Sequence, residues 1–245
     1  MHVHTALSPC ASETMVPPTI LAAARARRID LIGAVDHNAA GNARAMMEAM
    51  QRQSAGERVH VLPGVEAESS EGVHTVCLCD SAEEAERMAA LLQSSLAELA
   101  NRPEVFGEQS LVDADGRTVG RETRLLLQAT RMSFRDISGH SLARGLLTIA
   151  AHATRRSHGL LGVLGFVPDG TQLDALEAGP LGPWRPGGDH PDLARWPAIH
   201  SSDAHRAEDI GEVWTDFWLA EPSVAEIKLA LHGEAGRRVQ PCVAT

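Results

Sequence analysis

The sequence lacks tyrosine altogether and has only four tryptophans and four phenylalanines in 245 residues. It therefore offers few of the aromatic platforms on which bases of nucleic acids stack. Acidic residues outnumber basic ones by 32 to 22, giving a formal net charge of −10, whereas a grip on the phosphate backbone needs clustered Lys and Arg. This composition predicts that long nucleic acid is an unlikely partner. A small phosphorylated substrate, which needs only a local pocket of charge, is compatible with it.

Long apolar runs and a cysteine framework are also missing. No run of 18 apolar residues occurs, which argues against a transmembrane helix. The start MHVHTALSPC has no apolar stretch behind basic residues, unlike a signal peptide. The four cysteines do not follow a zinc-ribbon spacing; they are Cys10, Cys77, Cys79 and Cys242. These absences predict a reduced cytoplasmic protein.

Apolar runs of strand type alternate with helical patterns in the first hundred residues. The strand-type runs are 31–35, 59–65 and 74–80. The helical patterns are 17–29, 39–53 and 81–100. Ser81 followed by Glu84 is the capping-box pattern at the start of a helix. Such alternation predicts an α/β fold with a parallel sheet.

The second half of the chain continues the pattern less regularly. An Asp-Gly pair predicts a turn or a hairpin within 112–120. Further strand-type segments are 146–152, 173–179 and 196–205, and the Gly- and Pro-rich stretch 179–191 predicts a loop. A last helix is expected over 221–233, with Gly233 at its C-terminal end. Since no repeat or low-complexity linker interrupts the chain, residues 1–245 are interpreted as a single domain.

The ends of the predicted strands carry histidine and carboxylate side chains. They are His2, His4, Asp36, His37, Glu66, His74, His152, Asp203 and His205. In a parallel α/β barrel the C-terminal strand ends converge on one face, where such proteins carry out their chemistry. Histidine, aspartate and glutamate are ligands for divalent transition metals. The pattern therefore predicts a metal centre at this face.

The spacing of these residues supports more than one ion. His2 and His4, like Asp203 and His205, are two residues apart and point the same way on a strand. Glu66 has two oxygens with which to bridge two cations. The set is too large for one tetrahedral ion, so two or three ions are expected. Two metal ions about 3.5–4 Å apart form the usual clamp for in-line attack on phosphorus.

Several motifs together resemble those of the PHP (polymerase and histidinol phosphatase) superfamily. In chain order, from Met1 to about Gly211, they are HVHTALSPC, AVDHNAAGN, LPGVEAESSEGVHTVCL, AAHATR and SSDAHRAEDIG. The segments FGEQSLVD and HATRRSHGLLGVLGFVPDG are similar to a bacterial subgroup of PHP-domain phosphoesterases. The resemblance implies a distorted (β/α)7 TIM-like barrel with a trinuclear metal centre at the C-terminal strand ends.

The resemblance also implies how the ligands divide among the ions. The first ion is held by His2, His4 and Asp203, and Glu66 bridges it to the second ion. His74 and His152 hold the second ion, whereas His37 and His205 hold the third. Asp36 orients its surroundings without binding metal.

Arg155 corresponds to a family arginine that contacts the substrate phosphate, a role that suits the forked guanidinium group. Arg156 beside it is the alternative for this role. The sequence departs from the family at Ser8-Pro9-Cys10, where many members have a ligand of the third ion. Cys10 or Glu13 is then the substitute, or the third site is weak. The family also has strand residues before its first histidine, which predicts a frayed position for His2 and a natural start further upstream.

The predicted function is a metal-dependent, histidinol-phosphatase-like phosphoric ester hydrolase. It would act on a small phosphomonoester or nucleotide-type substrate through a metal-bridged hydroxide. Glu66, Asp203 and His205 are the expected catalytic residues, with Arg155 binding substrate and Zn, Mn or Fe as the metal. The alternative is a non-catalytic, metal-stabilised PHP binding module. An amide hydrolase on a related barrel is disfavoured, because Lys228 stands too late in the chain to be a carboxylated metal bridge.

The remaining histidines lie outside these motifs and are expected to be structural or exposed. They are His60, His140, His158, His190, His200 and His232. Cys77 and Cys79 alternate with apolar residues in a predicted strand, so both are expected in the core.

Overall fold

The computed structural model describes residues 1–54, 56, 58–178 and 195–243. The helices are α1 (Pro17–Ala26), α2 (Ala43–Gln51), α3 (Ala82–Gln93), α4 (Pro103–Phe106), α5 (Phe134–Ala143), α6 (Leu160–Leu164) and α7 (Val224–His232). The predicted loop 179–191, with His190, lies outside the described residues. Within the described ranges, no helix combines the length and the apolar character needed to cross a membrane.

Within the described ranges, ten strands accompany these helices. They are β1 (Leu31–Ala34), β2 (His60–Glu68), β3 (His74–Leu78), β4 (Ser110–Val112), β5 (Thr118–Arg121), β6 (Leu147–Ala150), β7 (Ala175–Ala178), β8 (Ala198–His200), β9 (Val213–Trp218) and β10 (Arg238–Val243). The predicted hairpin near residues 112–120 is the antiparallel pair β4–β5. The antiparallel pair β9–β10 was not expected from the sequence.

The main sheet is mixed and not parallel throughout. Its strand order is β1-β2-β3-β6-β7-β8. Neighbouring strands are parallel except at β3, which runs antiparallel to both β2 and β6. The predicted parallel sheet is therefore corrected at this strand. Only residues 69–73 connect β2 to β3, whereas a parallel crossover needs about a dozen residues or more.

The reversal of β3 places the start of this strand beside the ends of its neighbours. His74, the first residue of β3, pairs with Glu68 at the end of β2. The next residue, Thr75, pairs with Ala150 at the end of β6. His74 consequently lies at the same end of the sheet as the residues that follow the parallel strands.

Residues 2–4 lie between β1 and the residues that follow β8. Val3 forms parallel bridges to both Ala34 and Ala204. The His4 N–H donates to the Ala204 carbonyl over 2.9 Å, and the Val35 N–H donates to the Val3 carbonyl over 3.0 Å. The predicted frayed position of His2 is wrong, because its side chain is 0% exposed. Both edges of the curled sheet therefore meet at this segment.

Local sequence signals account for several element boundaries. The Ser81 hydroxyl accepts the Glu84 N–H at the start of α3, as the capping pattern predicts. Gly233 ends α7 with a φ of 68°, a left-handed conformation that glycine adopts without a steric penalty. Cys77 and Cys79 are buried in the core, confirming their predicted placement. Helix α5 begins with a capping box between Ser133 and Asp136 that the sequence analysis had missed.

Candidate metal centre

All eight predicted metal ligands lie at one end of the sheet, where the parallel strands terminate. Glu66 is near the end of β2, and His37 forms a bridge to it just after β1. The others come from the segment around Val3, the start of β3 and the residues after β6 and β8; they are His2, His4, His74, His152, Asp203 and His205. Strand ends converging on one face thus bring together residues distant in sequence, as the pattern predicted.

The two carboxylate oxygens of Glu66 face different sets of imidazole nitrogens. Oε2 lies 3.1 Å from Nδ1 of His37 and 3.2 Å from Nε2 of His4. Oε1 lies near three nitrogens: Nδ1 of His74 at 3.0 Å, Nε2 of His152 at 3.3 Å and Nε2 of His2 at 3.4 Å. A carboxylate placed in this way can bridge two cations, because each oxygen has its own set of neighbours.

Asp203 completes a compact group with the first pair of histidines. Its Oδ1 lies 3.3 Å from Nε2 of His2 and 3.4 Å from Nε2 of His4. The two imidazole Nε2 atoms are 3.1 Å apart. Bonds of about 2.0–2.1 Å to a tetrahedral zinc ion place neighbouring ligand atoms about 3.3–3.4 Å apart. The observed separations are close to those of atoms that share one ion.

Side chains of the described residues form four groups whose ligand atoms lie within 4.8 Å of one another. The first contains His2, His4, Glu66 and Asp203; the second His37, Glu66 and His74; the third His4, His37 and His205; and the fourth Glu68, His74 and His158. The first group has the membership that the resemblance implied for the first ion. The fourth was not predicted.

The second and third groups differ from the predicted partition. His37 joins Glu66 and His74 as well as the third group, whereas His152 belongs to none of the groups formed by described residues. His4 completes the third group, the place for which Cys10 and Glu13 were candidates. Both of those side chains are exposed and lie outside all four groups.

Buried atoms without hydrogen-bond partners test whether these residues fit a cation. Within the described part of the chain, Nδ1 of His37 and Oε2 of Glu66 have no hydrogen-bond partner, although they are 3.1 Å apart. Buried polar atoms left unpaired cost about 1–3 kcal/mol each. Two unpaired lone-pair atoms that face each other are the arrangement expected of ligands sharing a cation. The residues therefore fit divalent metal ions.

The carboxylates and imidazoles of the centre shift one another's pKa values in the direction that favours a charged carboxylate and positive charge beside it. Burial alone would raise the pKa of Glu66, but His74, His2 and His37 hold it well below its usual range. Burial opposes protonation of His74, yet Glu66 and Glu68 raise its pKa to about 9. Cations and protons thus compete for the same nitrogens.

His205 behaves in the opposite way. Burial, followed by repulsion from His4, lowers its pKa to about 4. Its Nδ1 lies 2.8 Å from the backbone oxygen of Asp203, to which a protonated Nδ1 donates. The ring is therefore neutral at pH 7, with Nε2 free of the proton and able to act as a ligand.

Glu177 contacts two of the histidines on the side away from the centre. The sequence did not predict it as a site residue. Its carboxylate lies 3.1 and 3.2 Å from Nδ1 of His2 and accepts the backbone N–H of His152 over 3.2 Å. Accepting the Nδ1 proton leaves Nε2 of His2 facing Glu66 and Asp203. The available signal was a single carboxylate, 1% exposed in the structure, inside the otherwise apolar strand β7.

Replacing Glu177 by glutamine is expected to weaken metal binding by about 10- to 100-fold, as loss of such a supporting carboxylate typically does. Equilibrium dialysis with metal analysis measures the change. Glu83→Gln, a change on the exposed surface of α3, is the matched control and should bind metal like the wild type. Equal affinities for Glu177→Gln and the control would contradict this supporting role.

A second hydrogen-bond chain orients His4. The Ser8 hydroxyl lies 2.9 Å from Nδ1 of His4 and donates to Asp36 over 2.6 Å. Asp36 also accepts the backbone N–H and the hydroxyl of Thr5 over 2.9 and 2.7 Å. Asp36 is outside all four ligand groups formed by described residues. Its position suits orientation of His4 through Ser8.

Arg155 lies at the exposed edge of the centre. Its Nη1 is 3.3 Å from Oδ2 of Asp203, and its side chain is 47% exposed. The backbone around Arg155 is packed against Gly159 and Gly162, where a Cβ atom would collide with the Arg155 carbonyl. Glycine at these two positions therefore allows the loop to hold Arg155 beside the centre.

Unusual backbone conformations occur at the centre. His152 and Asp203 have φ values of 31° and 49°, and Asn38, which follows His37, has a φ of 51°. Such conformations cost about 1–3 kcal/mol each and persist where surrounding contacts impose them. Asn38 is held by two hydrogen bonds from its amide to the carbonyls of Leu126 and Gln128. The fold thus tolerates strain in order to place these side chains.

Comparisons with known proteins agree with this fold. Residues 194–233 match the PHP-associated family. No curated protein sequence matches the chain. The lesion-specific endonuclease EndoQ from Pyrococcus furiosus has a similar structure, with a TM-score of 0.72 and 17% identity over 98% of this chain. The chain spans 56% of the length of that endonuclease.

Two further solved structures are similar. One is Endonuclease Q in complex with a 27-mer duplex carrying an abasic lesion, with a TM-score of 0.69 and 17% identity, covering 97% of this chain and 57% of the other. The other is a protein from Bifidobacterium adolescentis assigned as a metal-dependent phosphoesterase, with a TM-score of 0.54 and 18% identity, covering 83% of this chain and 86% of the other. The sequence resemblance to the PHP superfamily and the distorted TIM-like barrel are confirmed.

These neighbours overturn one prediction. The inference that long nucleic acid is an unlikely partner was wrong, because a protein of the same fold binds a DNA duplex at its active site. Net charge is a sum over the whole surface, whereas a duplex contacts only the surface around the site. Three exposed arginines lie within a few residues of predicted metal ligands in the sequence and provide local positive charge on an acidic protein. They are Arg155, Arg156 and Arg206.

Proposed function

We propose that this chain is a metal-dependent phosphoric ester hydrolase with its active site at Glu66. The proposal is carried by the position of the Glu66 carboxylate, whose two oxygens face separate sets of imidazole nitrogens at 3.0–3.4 Å. The residues that would hold two or three divalent ions are His2, His4, His37, Glu66, His74, His152, Asp203 and His205. Bound ions would supply an acidified water as nucleophile and neutralise charge on the phosphoryl oxygens.

The protein side chains position these ions and the substrate. Glu66, Asp203 and His205 provide the catalytic part of the ligand set. Glu177 and Asp36, acting through His2 and His4, keep the ligand nitrogens directed at the centre. In our proposal, Arg155 turns from Asp203 to a phosphoryl oxygen, where its fork can donate two hydrogen bonds.

For the substrate we propose a small phosphomonoester or a nucleotide. Support comes from the exposed guanidinium of Arg155 beside the metal groups, which suits a terminal phosphate. A second candidate is a phosphodiester in DNA. It is favoured by the structural similarity to EndoQ, one structure of which contains a duplex with an abasic lesion at the active site.

The decisive experiment uses the full chain after removal of metal by a chelator. Mn²⁺, Zn²⁺ or Fe²⁺ is added back, and hydrolysis is measured for an aryl phosphate, a bis-aryl phosphate, nucleotides and an abasic-site duplex. Metal-restored cleavage of the monoester or nucleotides supports the first substrate class, and cleavage of the diester or duplex supports the second. Metal binding without turnover of any substrate would favour the non-catalytic binding module.

Arg155→Ala is expected to lower kcat/KM by about 10- to 150-fold, since a hydrogen bond to a charged group contributes about 1.5–3 kcal/mol. The number of bound metal ions should not change. Steady-state kinetics on the best substrate, combined with metal analysis, checks both statements. Arg155→Lys should recover part of the loss. A larger loss in Arg156→Ala than in Arg155→Ala would instead assign substrate binding to Arg156.

A further inference from the structure

A fourth group of ligand atoms shares only His74 with the set that surrounds Glu66. It consists of Glu68, His74 and His158, whose ligand atoms lie within 4.8 Å of one another. The Glu68 carboxylate reaches 3.8 Å from Nε2 of His74 and 3.7 Å from Nδ1 of His158. The two rings are stacked with their centroids 4.4 Å apart. The His158 side chain is 40% exposed, so this group opens toward solvent.

The backbone holds the three residues in place. Glu68 and His74 are directly paired in the antiparallel register of β2 and β3. The His74 N–H donates to the carbonyl of His158 over 2.9 Å. His158 has a left-handed φ of 64°, an uncommon conformation for a residue with a side chain. Three separate segments thus bring their side chains to one point.

Two imidazole nitrogens in this group lack hydrogen-bond partners. Among the described residues, Nε2 of His74 and Nδ1 of His158 are buried atoms without a hydrogen bond. The whole His74 residue is only 5% exposed, so water has little access to it. Buried polar groups are nearly always paired, and each exception calls for an explanation. An ion between the two rings and Glu68 would provide it.

We propose that Glu68, Nε2 of His74 and Nδ1 of His158 bind one additional divalent transition-metal ion at the rim of the centre. Two imidazoles and one carboxylate form a set that such ions accept, with a remaining position open to water. The separations of 3.7 and 3.8 Å exceed the roughly 3.3–3.4 Å of a tetrahedral zinc site. Binding therefore requires a small inward movement, which the exposed ring of His158 permits.

This outer ion competes with the inner centre for His74. Nδ1 of His74 lies 3.0 Å from Oε1 of Glu66, while Nε2 faces Glu68. A neutral imidazole carries one proton and offers one lone pair. When Nε2 binds the outer ion, the proton stays on Nδ1 and is donated to Glu66. When Nδ1 binds an inner ion, Nε2 carries the proton. The outer ion consequently binds more weakly and fills at excess metal.

Zinc titration of the chelator-stripped full chain tests the proposal, with bound zinc counted after equilibrium dialysis. His158→Asn and Glu68→Gln are the variants, because asparagine tolerates positive φ and glutamine preserves shape. His140→Asn, on the exposed end of α5, is the matched control. The wild type and the control should bind one weak additional equivalent. Both variants should lose it or bind it at least tenfold more weakly, with melting curves like that of the wild type.

Two results would overturn the outer site. Wild-type zinc number and affinity in both variants would show that Glu68 and His158 are not ligands. Loss of every bound ion in both variants would show that they belong to the inner centre. Asp203→Asn separates this test from the proposed function, because Asp203 belongs to the first group alone. This variant should lose activity and still bind the weak additional equivalent.

Discussion

Replacing Glu66 by alanine is expected to remove bound metal and phosphoesterase activity together. Each of its oxygens faces a different set of nitrogens, so the substitution takes a ligand from two ions at once. It also leaves the buried histidines without their central carboxylate. The loss of activity should exceed the roughly 10²–10³-fold typical of removing one transition-state hydrogen-bond donor.

The measurement combines metal content with initial rates on the best substrate identified for the wild type. Glu66→Gln keeps the shape of the side chain but removes its charge, so it separates charge from packing. Glu83→Gln on the surface of α3 serves as control, since its carboxylate is 64% exposed and pairs with Arg87. Full metal content and wild-type turnover in Glu66→Ala would refute the proposed active site.

Metal removal is expected to lower the melting temperature strongly. Ions that bind the folded chain alone stabilise it in proportion to the logarithm of their concentration relative to Kd. At about 1,000 times Kd the gain is about 4 kcal/mol. For a chain of this size, 4 kcal/mol corresponds to about 8–16 °C. The effect is large because the ligands come from segments beside both edge strands of the sheet, β1 and β8. The ions therefore cross-link elements that are distant in sequence.

Thermal unfolding followed by circular dichroism, with chelator or with added Mn²⁺ or Zn²⁺, measures this shift. Asp203→Asn removes the carboxylate that faces His2 and His4, so its metal-dependent shift should be much smaller. Ser202→Ala next to it is unsuitable as a control, because its hydroxyl bonds to the Val213 carbonyl. Ser94→Ala should keep the full shift, because this residue is exposed at the C-terminal end of α3 and its hydroxyl bonds locally, to the Leu91 carbonyl of the same helix. Identical melting temperatures with chelator and metal would contradict the prediction.

The sequence predicted the elements of the site better than their arrangement. Alternation of apolar residues located β1, β2, β3 and β6, since burial imposes that pattern locally. The direction of β3 was missed, although the short connection 69–73 contained the information. Residues 101–140 offered little periodicity, so helix α5 was not expected. The pair β9–β10 forms through contacts between segments far apart, which local patterns do not encode.

The same distinction applies to individual site residues. His2 and His4 meet as implied, because residues two apart on an extended segment point the same way. Asp203 reaches them from a residue with a positive φ, a conformation that its spacing from His205 does not predict. The distribution of His37 and His152 among the groups depends on side-chain rotamers, which spacing does not determine. The sequence does not distinguish Glu177 and Glu68, because each is an ordinary carboxylate within a strand. Only the neighbours that the fold supplies give these residues a role.

Closure of the curled sheet through Val3 and Ala204 has a consequence during synthesis. Asp203 and His205 are synthesised about 200 residues after His2 and His4. At about 5–20 residues per second, the interval is roughly 10–40 s. Throughout it, the nascent chain presents two histidines without the carboxylate that faces them in the finished protein. The group formed by His2, His4 and Asp203 therefore assembles only after the segment containing Asp203 has been made.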